Sequence, residues 1–146
     1  MKSPEIFRHC LAFSLLLAVT MPAVSASADV VVIVSARSEV TRLTAEQVAK
    51  IFLNKVDVFP NGAKAVPVDQ AEGNPVRDEF YSRVVNKSSS QLTAYWARIT
   101  FTGDGNPPKL LEGDVAVKKA VAADPNAIGY IDKSAVDGSV RVILAP

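Results

Sequence analysis

Cysteine and histidine each occur once in this chain, as Cys10 and His9, and both fall in an N-terminal stretch that reads as an export leader. Lys2 and Arg8 precede an apolar run over residues 10–19 that ends near small residues, the layout of a secretory signal peptide. Ala26-Ser27-Ala28 supplies the small residues wanted before the cut, so residues 1–28 are expected to be the signal peptide and 29–146 the mature domain. Cleavage after Ala26 is the second choice. The run is too short to span a bilayer, which takes about 20 residues, so no membrane insertion is expected after cleavage. Cys10 stands at the front of the run, whereas a lipoprotein cysteine follows a small residue at its end.

Without residues 1–28 the chain has neither Cys nor His, and this absence excludes whole classes of chemistry. Thiol nucleophiles, Ser-His-Asp triads, CxxC redox pairs and Cys/His zinc sites all need a residue that is missing. Carboxylates, Lys, Tyr and Ser remain, and no enzyme activity, cofactor or metal is expected. No disulfide can form either, so a domain of about 118 residues must hold itself together by its core.

An excess of charge of either sign is also lacking. Of 16 basic and 15 acidic residues, Lys2, Arg8 and Glu5 leave with the leader, and 14 of each remain. A neutral balance argues against nucleic acid as a partner and against a polybasic membrane role. The basic residues are scattered, with Lys118-Lys119 reading as the solvated face of a helix.

Strands and helices alternate along what is left. Residues 30–34 form a β-branched run suited to a strand buried on both faces, followed by a polar loop at Ser35, Ala36, Arg37 and Ser38. Thr44 with Gln47 makes a capping box for a helix that carries Val48, Ile51 and Phe52 on one face and ends near Asn54. Phe59-Pro60-Asn61-Gly62 is a turn. A strand over 65–68 then leads into a helix with Asn74 as cap, Pro75 at its first position and Arg77 and Asp78 in its first turn. Ser88 with Gln91 makes a second capping box, and Leu92, Tyr95, Trp96 and Ile99 recur at helical spacing as core, with Trp96 also a candidate to line a cleft. After a loop over 102–109, Val117, Ala120 and Val121 mark a fourth helix ending before Pro125. Strands over 127–131 and 139–144 close the chain, with Asp137-Gly138 as a turn. The fold class read from this order is α/β, in a single compact domain.

A strand that feeds a capped helix, with an arginine one turn in, is an arrangement that binds small anions through backbone N–H groups and a bidentate guanidinium. The same segment resembles the periplasmic phosphate-binding proteins of ABC transporters, which have the type II periplasmic binding protein fold. Leu43-Thr44, Gln47, Ile51-Phe52, Lys55, Asn61-Gly62, Pro67-Val68, Gly73, Arg77 and Phe80 follow that family's phrase in order, and Ala127-Ile128-Gly129-Tyr130-Ile131 matches its later element. The resemblance implies one lobe of such a protein, in the periplasm, taking phosphate or a similar oxyanion, with an ABC transporter or a sensor as partner. It implies ligand-binding roles for Ser35, Arg37, Ser38, Gln70, Gly73, Asn74 and Arg77.

The family's Gly-Ser-Gly-Thr-Arg turn reads here as Gly73-Asn74-Pro75-Val76-Arg77, without the two hydroxyls and with one backbone N–H fewer. Each lost donor to a charged partner is worth roughly 1.5–3 kcal/mol, so weak binding is expected. Asp69, Gln70 and Glu72 stand at the strand's end, where Glu72 repels a dianion if it faces the same pocket. One lobe cannot bury a ligand alone. A homodimer, a partner protein as second wall, and a protein-interaction or sensory module that binds no small ligand all stay open.

Overall fold

The computed structural model describes residues 27–146, so the proposed signal peptide lies, but for its last two residues, outside the described residues. In chain order the elements are β1 (Val30–Ser35), α1 (Ala45–Phe52), β2 (Val66–Gln70), α2 (Pro75–Phe80), a π-helical turn (Tyr81–Val85), α3 (Ser89–Thr102), β3 (Lys109–Leu111), α4 (Gly113–Ala123), β4 (Ala127–Asp132), a short 3-10 turn (Lys133–Ala135) and β5 (Val140–Leu144). The sheet order is β3-β2-β4-β1-β5. β2 runs parallel to β3 and β4, whereas β1 is antiparallel to β4 and to β5.

β1 is buried on both faces, as its unbroken β-branched run requires. Val30, Val32 and Val34 face a core shared with α1, α2 and α3, and Val31 and Ile33 face a second core under α4. The chain is therefore a three-layer α/β domain. Both capping boxes form: the Thr44 and Ser88 hydroxyls accept from the backbone N–H of Gln47 and Gln91, whose side chains reach back to the cap N–H groups. Caps of this kind contribute about 1 kcal/mol each. β3 falls within and beyond the segment read as loop. It is a three-residue edge strand too short to show a pattern, and it forms because β2 offers it a parallel ladder from Val68 to Gln70.

α4 lies close on β4 because Gly129 has no side chain. A Cβ built there meets Val117 Cγ1 at 2.7 Å, Val121 Cγ2 at 3.0 Å and Val68 Cγ2 at 3.1 Å. Valine is stiff at χ1, so these methyl groups cannot swing away cheaply. Gly129→Ala is expected to lower stability to urea by about 1–3 kcal/mol, the usual cost of overpacking. Gly138→Ala, with nothing within 4 Å of the new Cβ, is expected to be near neutral. The Gly129→Ala loss shrinks in a Val117→Ala background if the clash is its cause, and an equal loss in both backgrounds refutes that cause.

Candidate functional site

The turn from β2 into α2 has the local structure read from the sequence. Asn74 N–H donates to Ala71 O at 3.3 Å, and Gly73 takes φ +82°, a left-handed conformation that suits glycine. Asn74 Oδ1 accepts from Val76 N–H at 2.9 Å, and Pro75 occupies the first helical position. The Asn74 amide is then spent at its other end, donating to Gln70 Oε1 at 2.7 Å. Gln70 is fully buried and spent in turn: Nε2 donates to Asp114 Oδ1 at 2.9 Å and to Tyr130 O at 3.0 Å. The polar side chains at the start of α2 thus serve the fold and have little capacity left for an anion.

Beneath them lies a buried carboxylate that the sequence reading did not rank among the binding residues. Asp69, 2% exposed, accepts from Gln70 N–H at 2.8 Å, from Tyr81 Oη at 2.7 Å and from Tyr130 Oη. Aromatic packing holds the two phenols in place: Phe80 stacks on Tyr130 with centroids 4.0 Å apart and meets Tyr81 edge-on at 5.1 Å. Tyr130 belongs to the Ala127–Ile131 motif, so the signal was present, but its side-chain partner was not legible.

Arg77 faces this carboxylate, with Nε 3.5 Å from Asp69 Oδ1 and the guanidinium 5.0 Å above the Tyr81 ring. It is only 6% exposed, and its buried Nε has no hydrogen-bond partner among the described residues. An arginine presents five N–H donors, and in this one the Nε donor is held in place without a hydrogen bond. It lines two clefts. One, of about 190 Å³, is shared with Asp69, Glu72, Trp96 and Leu110; the other, of about 320 Å³, is shared with Asp78, Tyr81, Lys87, Ser88 and Ser89. Glu72 does face a pocket with Arg77, and Trp96 serves as core and as cleft wall together.

The structure brings Gln70, Gly73, Asn74 and Arg77 to one end of the sheet and Ser35, Arg37 and Ser38 to the other. The reason is strand direction. Val34 pairs with Ile128 while Pro67 also pairs with Ile128, so β1 ends beside the start of β4 and β2 ends further along it. Ser35 and Gln70 stand four residues apart along β4, about 13 Å, and two strand spacings apart across the sheet, about 9.6 Å. One small anion cannot touch both groups. Ser35 Oγ donates to Ala122 O at 3.3 Å and Arg37 Nη2 to Ala123 O at 3.1 Å, an arginine on the carbonyl end of α4. Ser38 Oγ accepts from Val40 N–H at 3.2 Å, and Arg37 and Ser38 line a separate cleft of about 220 Å³. Among the described residues no group of His, Cys, Asp and Glu could hold a metal ion, and no helix is long and apolar enough to cross a membrane.

No protein-family model and no curated protein matches the chain in sequence. Its fold does match solved structures. A protein of Clostridium perfringens described as a phosphate ABC transporter substrate-binding protein, solved with bound phosphate, is similar with a TM-score of 0.62 at 26% identity, over 80% of this chain and 44% of that one. An ABC-type phosphate transport receptor of Vibrio cholerae is similar with a TM-score of 0.62 at 21% identity, over 80% and 45%. PstS of Borrelia burgdorferi is similar at 0.59 and 14% identity, over 80% and 46%. The chain thus spans less than half the length of each of these proteins.

The Asp69 cluster has a measurable signature. Burial first, then the negative charge of Asp69 and the hydrogen bond to it, push the Tyr81 and Tyr130 phenols far above their ordinary 10. A raised folded pKa means that the stabilisation is complete below about pH 10 and is lost above it, as the unfolded chain releases protons that the folded chain keeps. Each such proton is worth about 1.4 kcal/mol per pH unit. Between pH 10 and 12 the decline of unfolding free energy in urea is expected to be shallower by about that amount per unit in Tyr130→Phe than in the parent. Equal slopes show that the phenol ionises inside the fold and refute its locked state.

Proposed function

We propose that this chain, which belongs by fold to the phosphate ABC transporter substrate-binding protein family, is an exported solute-binding domain that captures phosphate or a similar oxyanion weakly and performs no chemistry on it. The observation that carries the reading is the state of Arg77, buried to 94%, fixed over Tyr81 and beside Asp69, with its Nε lacking a hydrogen-bond partner among the described residues. A guanidinium held in that way is ready to donate two parallel bonds to an oxyanion without first losing rotamer freedom. The fold similarity to a protein solved with bound phosphate supports the ligand class.

Weakness follows from two features. Asp69 already neutralises part of the Arg77 charge, and the Asn74 and Pro75 positions offer the anion no hydroxyl. The leader read over residues 1–28 supports a periplasmic location, and the fold similarity supports an ABC transporter or a periplasmic sensor as partner. Among the described residues Asp69 is the buried carboxylate of the cluster, and three donors there hold it as a structural acceptor.

A second reading is favoured by one observation. Phe101 is 93% exposed and Val115 75% exposed, apolar area that a docked partner would bury. In that reading the domain is an interaction or sensory module that keeps the fold and takes no small ligand.

Isothermal titration separates the two. Phosphate is expected to bind with a Kd in the high-micromolar to millimolar range, and at 100 times Kd to stabilise the fold by about 2.7 kcal/mol. Arg77→Lys, which keeps the charge and loses the planar fork, is expected to weaken binding at least tenfold. No heat with phosphate, sulfate or arsenate, in protein refolded free of carried-over ligand, overturns the binding reading in favour of the module.

A further inference from the structure

We infer that the phosphoryl site of this chain lies at the N-terminus of α3, in the cleft formed by Arg77, Lys87 and the Ser88–Ser89 turn, and not at the N-terminus of α2. The inference rests on the oxyanion reading above and goes on to locate the ligand. Arg77 borders two clefts, and their charges are opposite. On the Glu72 side the lining holds Arg77 against two carboxylates, Asp69 and Glu72, and so carries a net charge of about −1. On the α3 side it holds Arg77 and Lys87 against Asp78 alone, a net charge of about +1. A dianion is repelled from the first and drawn to the second.

The donors point the same way. α2 has six helical residues, begins with a proline that has no N–H, and has its next amide taken by the Asn74 side chain. α3 has 14 residues and the dipole of a full helix, and its cap spends only the Gln91 amide. The N–H groups of Ser89 and Ser90 precede the first intrahelical bond, and Ser89 adds an exposed hydroxyl. The hydroxyl-rich helix start that the α2 turn lacks is therefore present one helix later, on the other side of the same arginine. The helix end alone would not make a site. The independent observation is Arg77, nine-tenths buried, whose side chain borders this cleft and whose Nε has no hydrogen-bond partner among the described residues.

Size narrows the ligand. A cleft of about 320 Å³ has room for roughly ten waters at about 30 Å³ each, more than a five-atom anion fills. The shared chemistry is a dianionic phosphoryl group, free or as a small monoester. Titrations with inorganic phosphate and with glycerol 3-phosphate distinguish the two sources, the tighter ligand naming the one used.

Two variants test the location. Lys87→Ala removes the second cation. Ser89→Pro removes both the hydroxyl and the N–H at the first helical position, where proline is tolerated, and Ser88 already has the extended backbone (φ −73°, ψ 164°) that a following proline demands. Each is expected to weaken the tighter ligand at least tenfold with the melting temperature of the free protein little changed, and Glu72→Gln to leave affinity within twofold. Binding that survives both variants, or that tightens several-fold in Glu72→Gln, puts the anion in the other cleft; it overturns this inference and leaves the oxyanion reading standing. No heat from either ligand overturns both.

Discussion

A carboxylate placed where water cannot reach it sets the terms for the rest of this structure. Asp69 lies in the buried part of β2, and a carboxylate there is tolerable only if donors surround it. The chain supplies three, from the Gln70 amide and the Tyr81 and Tyr130 hydroxyls, and sets the Arg77 guanidinium alongside. Each donor comes from a different element: β2, the π-helical turn after α2, and β4. The cluster therefore ties the parallel half of the sheet to the helical layer at the point where the candidate site begins. Removing one member of such a buried pair typically costs about 3–5 kcal/mol, because the other charge stays behind unpaired.

The same cluster explains the break in the second helix. An α-helix running on from Phe80 would continue its 100° steps, whereas the chain widens into a π-helical turn over Tyr81–Val85 and ends at Asn86 in a left-handed conformation. Tyr81 sits at the first widened position, with its hydroxyl on Asp69 and its ring under Arg77. π-turns are rare and recur at functional sites. Here the aim of Tyr81 fixes both the carboxylate and the arginine, so a local irregularity of the backbone helps to orient Arg77 beside the cleft.

How far the sequence discloses this depends on the range of each interaction. Local signals were legible: the capping boxes at Thr44 and Ser88, the asparagine cap before Pro75, and the β-branched run of β1 are decided within a few residues of themselves. The core stripe of Leu92 and Trp96 was legible for the same reason. What pairs across the fold was not. Three residues at Lys109–Leu111 are a strand only because β2 is beside them. Strand direction leaves no mark in composition, and the antiparallel run of β1 against β4 is what carries Ser35, Arg37 and Ser38 away from Arg77. Asp69 read only as one of three polar residues at a strand's end, since nothing near it in sequence announces that a tyrosine 61 residues on will close over it.

The half-length match to its structural relatives bears on energetics more than on fold. In a site with two walls a dehydrated oxyanion meets donors on every side, in a medium where each charge-assisted bond is strong. The lobe described here offers one wall. An anion on it keeps part of its hydration shell, and the attraction of Arg77 is weakened both by that water and by Asp69 at 3.5 Å. On the binding reading, a rigid guanidinium that already faces Asp69 favours weak, reversible capture, and a second surface closing over the cleft would strengthen its contacts with the anion. The exposed Leu110, which lines a cleft with Arg77, gives such a surface apolar area to bury. Ligand capture and partner docking are in this sense coupled readings of one face of the lobe, since a partner that excludes water from Arg77 also raises its affinity for the anion, and by linkage the anion raises the affinity for the partner.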